Sequence, residues 1–202
     1  MEDPVLVTFD TFNRAAARML VHDNPPPDTP ADRKRIEKFL FRTGRPVPNV
    51  LVLGGNLAIR ARQIDELGGA AVGVDGGANV IALAGQRYPG GNFLQGDLRN
   101  PPVDSNFFDG AWTGTVLAHI PRLEVAQAMS GVHKALRPGG LLYVRLPLGD
   151  EEGFQESPDG PVYRVRWDEQ QFIETIGALD FDRIDRDEMG EEEVGLTFRR
   201  EY

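Results

Sequence analysis

Two apolar runs in this sequence end in a carboxylate, and a histidine follows a third. Ala70-Ala-Val-Gly-Val-Asp75 closes on Asp75, the short run 92–95 leads into Gly96-Asp97-Leu98, and His119 comes shortly after the run 108–113. Upstream of all three, Val50-Leu-Val-Leu-Gly-Gly-Asn-Leu-Ala58 joins four apolar residues to two glycines and then to a helical pattern, which reads as strand, tight turn and helix. Glycine lets a backbone come close to a ligand. A carboxylate roughly twenty residues further on, at the end of the next strand, is placed to accept hydrogen bonds from ribose hydroxyls. Asp75 also suits a cap for a helix starting near Gly77, and Asp97 an Asx turn ahead of Asn100-Pro101. His119 is the candidate general base, since imidazole titrates near neutral pH; the alternative is a structural histidine supporting the Ile120-Pro121 turn. His133 sits mid-helix and reads as packing or surface. His22, Asp23 and His119 have no metal-site spacing, and no metal is expected.

The elements that would position these residues alternate. Strands are expected at 49–53, 70–75, 92–95, 108–113 and 140–146, with helices at about 57–67, 77–86 and 122–135 between them. Such alternation points to an α/β fold with a mostly parallel sheet covered on both faces. Ahead of it, helices are expected over 8–21, with Phe9, Phe12, Ala16, Met19 and Leu20 at helical spacing, and over about 31–41, separated by the breaker Asn24-Pro-Pro-Pro-Asp-Thr-Pro30. After it, 149–160 reads as an exposed loop, 162–167 as an edge strand and 168–178 as a helix. Strands at about 180–186 and 193–200 close the chain around an acidic turn.

The 202 residues suit one domain, 1–202, with an N-terminal helical extension over 1–45 and a core over 46–202. A net charge of −9 argues against nucleic acid or an anionic membrane as partner. The absence of cysteine removes disulfides, thiolate metal sites and cysteine nucleophiles. The first residues lack a secretion signal, and no apolar run approaches the roughly 20 residues of a membrane span, so a cytoplasmic protein is expected. Oligomeric state is left open.

Gly96-Asp97-Leu98, Phe108-Asp-Gly-Ala-Trp-Thr113, Leu117-Ala-His-Ile-Pro-Arg122 and Leu136-Arg-Pro-Gly-Gly-Leu-Leu-Tyr143 occur in an order and spacing that resemble small class I S-adenosylmethionine-dependent methyltransferases of the methyltransferase type 11 kind, over nearly the whole chain. The resemblance implies a Rossmann-like, seven-stranded, mostly parallel sheet. S-adenosylmethionine would lie across the carboxyl ends of the first strands and donate a methyl group in line to a small-molecule acceptor. It implies that Gly54, Gly55 and Asn56 approach the methionine part of the cofactor, Asp75 and Gly76 the ribose, and Asp97 and Leu98 the adenine, while Thr113 lines the floor near the sulfonium.

The sequence departs from that pattern where an acidic residue and a Gly-x-Gly-x-Gly run are usual, with Val52, Gly54, Asn56 and Ala58 instead. Asparagine tolerates left-handed backbone better than other residues, whereas Ala58 adds a methyl toward the cofactor side, an overpacking that costs about 1–3 kcal/mol. Val52 removes a polar anchor and Arg60 adds a cation. A tyrosine usual in the N-terminal helix is replaced near Ala16, with Phe9 and Phe12 as the neighbouring aromatics. These changes support an alternative, a methyltransferase fold that no longer transfers methyl and serves as a cyclase, isomerase or noncatalytic binding protein. The loop 147–162 is the expected place of acceptor recognition. There Arg145, Tyr163, Arg164 and Arg166 either meet an acidic substrate or pair with Glu151, Glu152 and Glu156.

Overall fold

The computed structural model describes residues 3–21 and 28–201. Seven strands form one sheet in the order β3-β2-β1-β4-β5-β9-β8: β1 (Asn49–Leu53), β2 (Ala70–Asp75), β3 (Asn92–Gln95), β4 (Phe108–Trp112), β5 (Leu136–Pro147), β8 (Phe181–Glu188) and β9 (Glu193–Arg200). β1 pairs in parallel with β2 and β4, β2 with β3 and β4 with β5, whereas β9 runs antiparallel to both β5 and β8. The expected mostly parallel seven-stranded sheet is therefore present. The strand order reverses between β1 and β4, where an open α/β sheet leaves a crevice at its carboxyl ends.

Because successive strand residues face opposite ways, β1 divides its side chains between two cores. Leu51 and Leu53 pack with Val125, Met129 and Val132 of α5 (Arg122–Ala135) and Phe172 and Ile176 of α6 (Glu169–Gly177). Val50 and Val52 pack with Ile36 and Phe39 of α2 (Pro30–Arg42) and Ala61 and Ile64 of α3 (Leu57–Glu66). On that second face Trp112 stacks on Tyr143, ring centroids 3.8 Å apart, and Phe39 meets Trp112 edge-on at 5.4 Å. A Cβ at Gly110 would stand 2.7 Å from the Phe39 ring, so only glycine lets α2 lie this close to β4. Asp109 is buried at the other end of β4 and is held by Arg45 at 3.0 Å, Arg137 at 2.8 Å and the backbone N–H of Asn49 at 2.9 Å.

Several boundaries differ from expectation, among them the start of β5, and two differences have a local physical reason or change an element. α1 runs Pro4–Met19 and starts well before residue 8, because the Asp3 carboxylate accepts from the N–H of Val5 and Pro4 takes the first helical position, where no donor is needed. The segment expected as a loop over 149–160 instead contains β6 (Glu152–Ser157), which forms an antiparallel hairpin with β7 (Gly160–Val165). The Ser157 hydroxyl bridges its turn by donating to the carbonyl of Gly160. His22 and Asp23, weighed as metal ligands, lie outside the described residues.

Candidate functional site

The crevice between β1, β2 and β4 opens into a cavity of about 300 Å³ roofed by α1. Gly54, Gly55 and Asn56 form one side and Asp75 the base. Thr115, Val116 and His119 of the turn after β4 form the far wall, and Phe9, Phe12 and Ala16 hang from the roof. A second cavity lies beside it, lined by Gly76, Gly77, Gln95, Gly96 and Asp97, and Phe9 borders both. Gly54, Gly55, Asn56, Asp75 and His119 thus line the first chamber and Gly76 and Asp97 the second, with Phe9 bordering both.

The turn after β1 is tight because three successive residues are left-handed. Gly54 (φ +59°), Gly55 (φ +34°) and Asn56 (φ +61°, ψ 35°) are all left-handed, so a run that glycine would fill contains asparagine, the residue that accepts this conformation most readily among the rest. A Cβ on Gly54 would fall 2.6 Å from the Val116 side chain. Val52 points away into the core beneath α2 and α3, where an apolar side chain is required. Ala58 is among the residues that line the cavity. Arg60 does not enter the site: it pairs with Asp32 of α2 at 2.8 Å and donates to Gln63.

Asp75 is buried and accepts one hydrogen bond, from the N–H of Gly77 at 2.9 Å, which closes a turn ahead of α4 (Ala78–Arg87) but does not cap the helix, since Gly77 is itself the N-cap residue. Burial pushes its carboxyl up to about 6, and that hydrogen bond only partly opposes the shift. An under-satisfied carboxylate facing a cavity matches the paired hydroxyls of a ribose. Asp97 forms the expected Asx turn by accepting from the N–H of Arg99 at 2.8 Å. The Arg99 guanidinium also binds it at 2.9 Å while reaching Asp3 and Glu124. Desolvation raises the Asp97 carboxyl, but the hydrogen bonds and charge of Arg99 outweigh it and hold the carboxyl below its usual range. Leu98 is buried against the Gly54 turn.

Thr113 departs from expectation. It is buried and borders neither chamber, because its hydroxyl donates to the carbonyl of Tyr143 at 3.1 Å. Thr115, two residues on, stands at the wall instead, because Gly114 (φ +50°) turns the chain back there. His119 ends a 3-10 turn, Val116–His119, and its Nδ1 lies 2.9 Å from the Tyr163 carbonyl of β7. The histidine therefore anchors the hairpin rather than the Ile120-Pro121 turn. Phe12 meets its ring edge-on at 4.9 Å. Burial lowers its pKa to about 4 against the opposing hydrogen bond to Tyr163, with the charge of Arg164 adding to the fall. His133 packs against Phe181, and Trp112 and Trp167 are core residues.

α1 is fastened on both flanks. Asn13 Oδ1 accepts from the N–H of Asn79 at 2.7 Å, capping α4 from outside, and the Asn79 side chain donates to the Asn13 carbonyl. On the other flank Thr8 accepts from the N–H of Tyr163, and Thr11 donates to the carbonyl of Pro161, both at 2.8 Å. The cations of the hairpin region are mostly paired: Arg145 with Glu193, and Arg166 with Glu151 at 3.8 Å and Glu192 at 3.6 Å. Tyr163 donates to Glu152.

Residues 51–144 match a family model described as "Methyltransferase domain". The chain is similar to the demethylmenaquinone methyltransferase of Chlorobaculum tepidum, 28% identical over 117 residues, which cover 57% of this chain and 45% of that protein. It spans about half the length of the curated relatives it matches. Among solved structures it resembles the Burkholderia thailandensis 1,6-didemethyltoxoflavin-N1-methyltransferase with bound 1,6-didemethyltoxoflavin and S-adenosylhomocysteine, with a TM-score of 0.71 and 20% identity, covering 98% of this chain and 88% of that one. The [4+2]-cyclase SpnF shares the fold at a TM-score of 0.68 and 17% identity, covering 89% and 85%. The chain thus has the fold of these structures, and the match to the methyltransferase family lies in residues 51–144, from β1 into β5. Among the described residues no helix is long and apolar enough to cross a membrane.

Proposed function

We propose that this chain is an S-adenosylmethionine-dependent methyltransferase, working in the cytoplasm as a single domain on a small-molecule acceptor by in-line transfer. The carrying observation is the buried Asp75 carboxylate, which has one hydrogen bond and faces the crevice beside the left-handed Gly54-Gly55-Asn56 turn. When bound, the cofactor supplies an electrophilic methyl group on a sulfonium. The chain's own residues position it. Gly54, Gly55 and Asn56 give backbone access to the methionine part, Asp75 with Gly76 takes the ribose hydroxyls, and Asp97 and Leu98 border the adenine. On the wall where the acceptor meets the methyl, Thr115 takes the place first assigned to Thr113.

His119, on the same wall as Thr115, is the group we assign to receive a proton. Phe9, Phe12 and the other apolar residues of the roof exclude water, and much of the acceleration then comes from holding the reactants in line. The acceptor bound by the Burkholderia relative supports a small molecule, and the small volume of the chamber agrees.

A second reading, in which the fold binds a ligand without transferring methyl, is favoured by Ala58 in the lining of the chamber and by the cyclase of the same fold. Thermal denaturation with and without S-adenosylhomocysteine separates the two. At about 100 times its dissociation constant the ligand should add about 2.7 kcal/mol of stability, and no shift at millimolar ligand would reject cofactor binding.

A further inference from the structure

We propose that the acceptor is a small, uncharged, largely apolar molecule that offers a donor hydrogen, in the simplest case that of a hydroxyl, to Nε2 of His119. The inference rests on the methyltransferase reading above and adds the acceptor class.

The direction of one hydrogen bond carries it. A backbone carbonyl only accepts, so the 2.9 Å contact between His119 Nδ1 and the Tyr163 carbonyl places the ring hydrogen on Nδ1 and leaves a lone pair on Nε2. Nε2 has no hydrogen-bond partner among the described residues, and His119 borders the chamber. The surfaces around it are apolar, with Phe12 edge-on and Val116 beside it. Thr115 is the other polar group on that wall, and its hydroxyl can donate or accept, so it does not discriminate. The charged groups that face this region are Asp75 from β2 across the chamber, Arg87 at its outer end and Arg164 on β7.

A carboxylate or phosphate presented to Nε2 would set lone pair against lone pair on an apolar wall, an unpaired burial that is unfavourable. An ammonium can donate to Nε2 but cannot attack until it has lost a proton, and an imidazole as weakly basic as this one does not remove it. A neutral donor with a lone pair of its own meets both conditions, and a hydroxyl is the simplest. As its oxygen bonds to the methyl carbon, the carbon–sulfur bond breaks with its electron pair staying on sulfur. The hydroxyl proton, made strongly acidic by the charge building on oxygen, passes to Nε2. The imidazolium then returns that proton to solvent.

The test uses three probes of one shape, 2-naphthol, 2-naphthoate and 2-naphthylmethylammonium, titrated calorimetrically into the protein saturated with S-adenosylhomocysteine. The hydroxyl probe is expected to bind at least about 10-fold more tightly than either charged one. His119→Phe should abolish that preference while keeping S-adenosylhomocysteine affinity, and His119→Gln, which restores an acceptor, should regain part of it. Long-range proton–nitrogen NMR of the protein alone should show hydrogen on Nδ1 and none on Nε2 from about pH 5 to 8. Hydrogen on Nε2, or naphthoate bound as tightly as naphthol, overturns the proposal. Failure of S-adenosylhomocysteine to bind counts against the methyltransferase reading instead, and the NMR result does not depend on it.

Discussion

At Asp75 the needs of folding and of binding diverge. Its carboxyl is pushed up to about 6 from 3.8 by burial, so the folded state holds the proton more tightly than the unfolded chain. The associated stability is present below pH 3.8 and is lost as pH rises through about 6, by at most about 3 kcal/mol. Asp75→Asn is therefore expected to be more stable than wild type above pH 7 and nearly equal to it near pH 4, while losing affinity for S-adenosylhomocysteine. Urea denaturation at the two pH values reads the first part, and a gap that fails to narrow on acidification would refute it. Ala58→Gly should act in the opposite sense, tightening S-adenosylhomocysteine binding by removing a methyl from the chamber lining and costing about 1 kcal/mol in helix stability. Asn56 was legible in the sequence because its chemistry allows few backbone reasons for standing in a glycine run. The shift from Thr113 to Thr115 was not, since it depends on a left-handed glycine and on a hydroxyl satisfied by a neighbouring strand.

Among the elements, α1 joins parts of the chain that are far apart in sequence. Its Asn13 supplies the cap that α4 lacks, because Gly77 at the N-terminus of α4 has no side chain to do so. Asn13→Ala should thus destabilise the protein by about 1 kcal/mol, as loss of a cap does, and should speed amide exchange in the first turn of α4 as well as in α1. Acceleration confined to α1 would show that the cap is dispensable. The expected strands β1, β2 and β3 and helix α5 kept their boundaries because apolar runs bounded by turns define them. The β6–β7 hairpin was hidden because β6 has Phe154 as its one large apolar residue and pairs only with β7, so it carries no period-two pattern. That hairpin supplies the carbonyl that orients His119, a contact between residues 44 apart in sequence that no local pattern announces.

At the scale of the molecule, groups in the same chamber respond to acid in opposite directions. His119, lowered from 6.5 to about 4, contributes stability that is complete above pH 6.5 and is lost as pH falls toward 4, while Asp75 gains over nearly the same interval. The carboxyls of Asp3, Asp32 and Asp97, held below their usual range mainly by their arginine partners in spite of burial, lose their contribution only below about pH 4. Wild-type melting temperature is expected to change little between pH 6.5 and 4 and to drop steeply below that. In Asp75→Asn the decline should begin near pH 6.5, since the compensating group is gone, and scanning calorimetry across the range checks both profiles. Phe9 adds a consequence in time. A ligand that reaches from Asp75 to Asp97 occupies both chambers, and we expect it to move the ring that borders both. Its arrival then has two stages, a fast docking of one end and a slower threading whose rate stays constant however much ligand is supplied, and Phe9→Ala merges them into one.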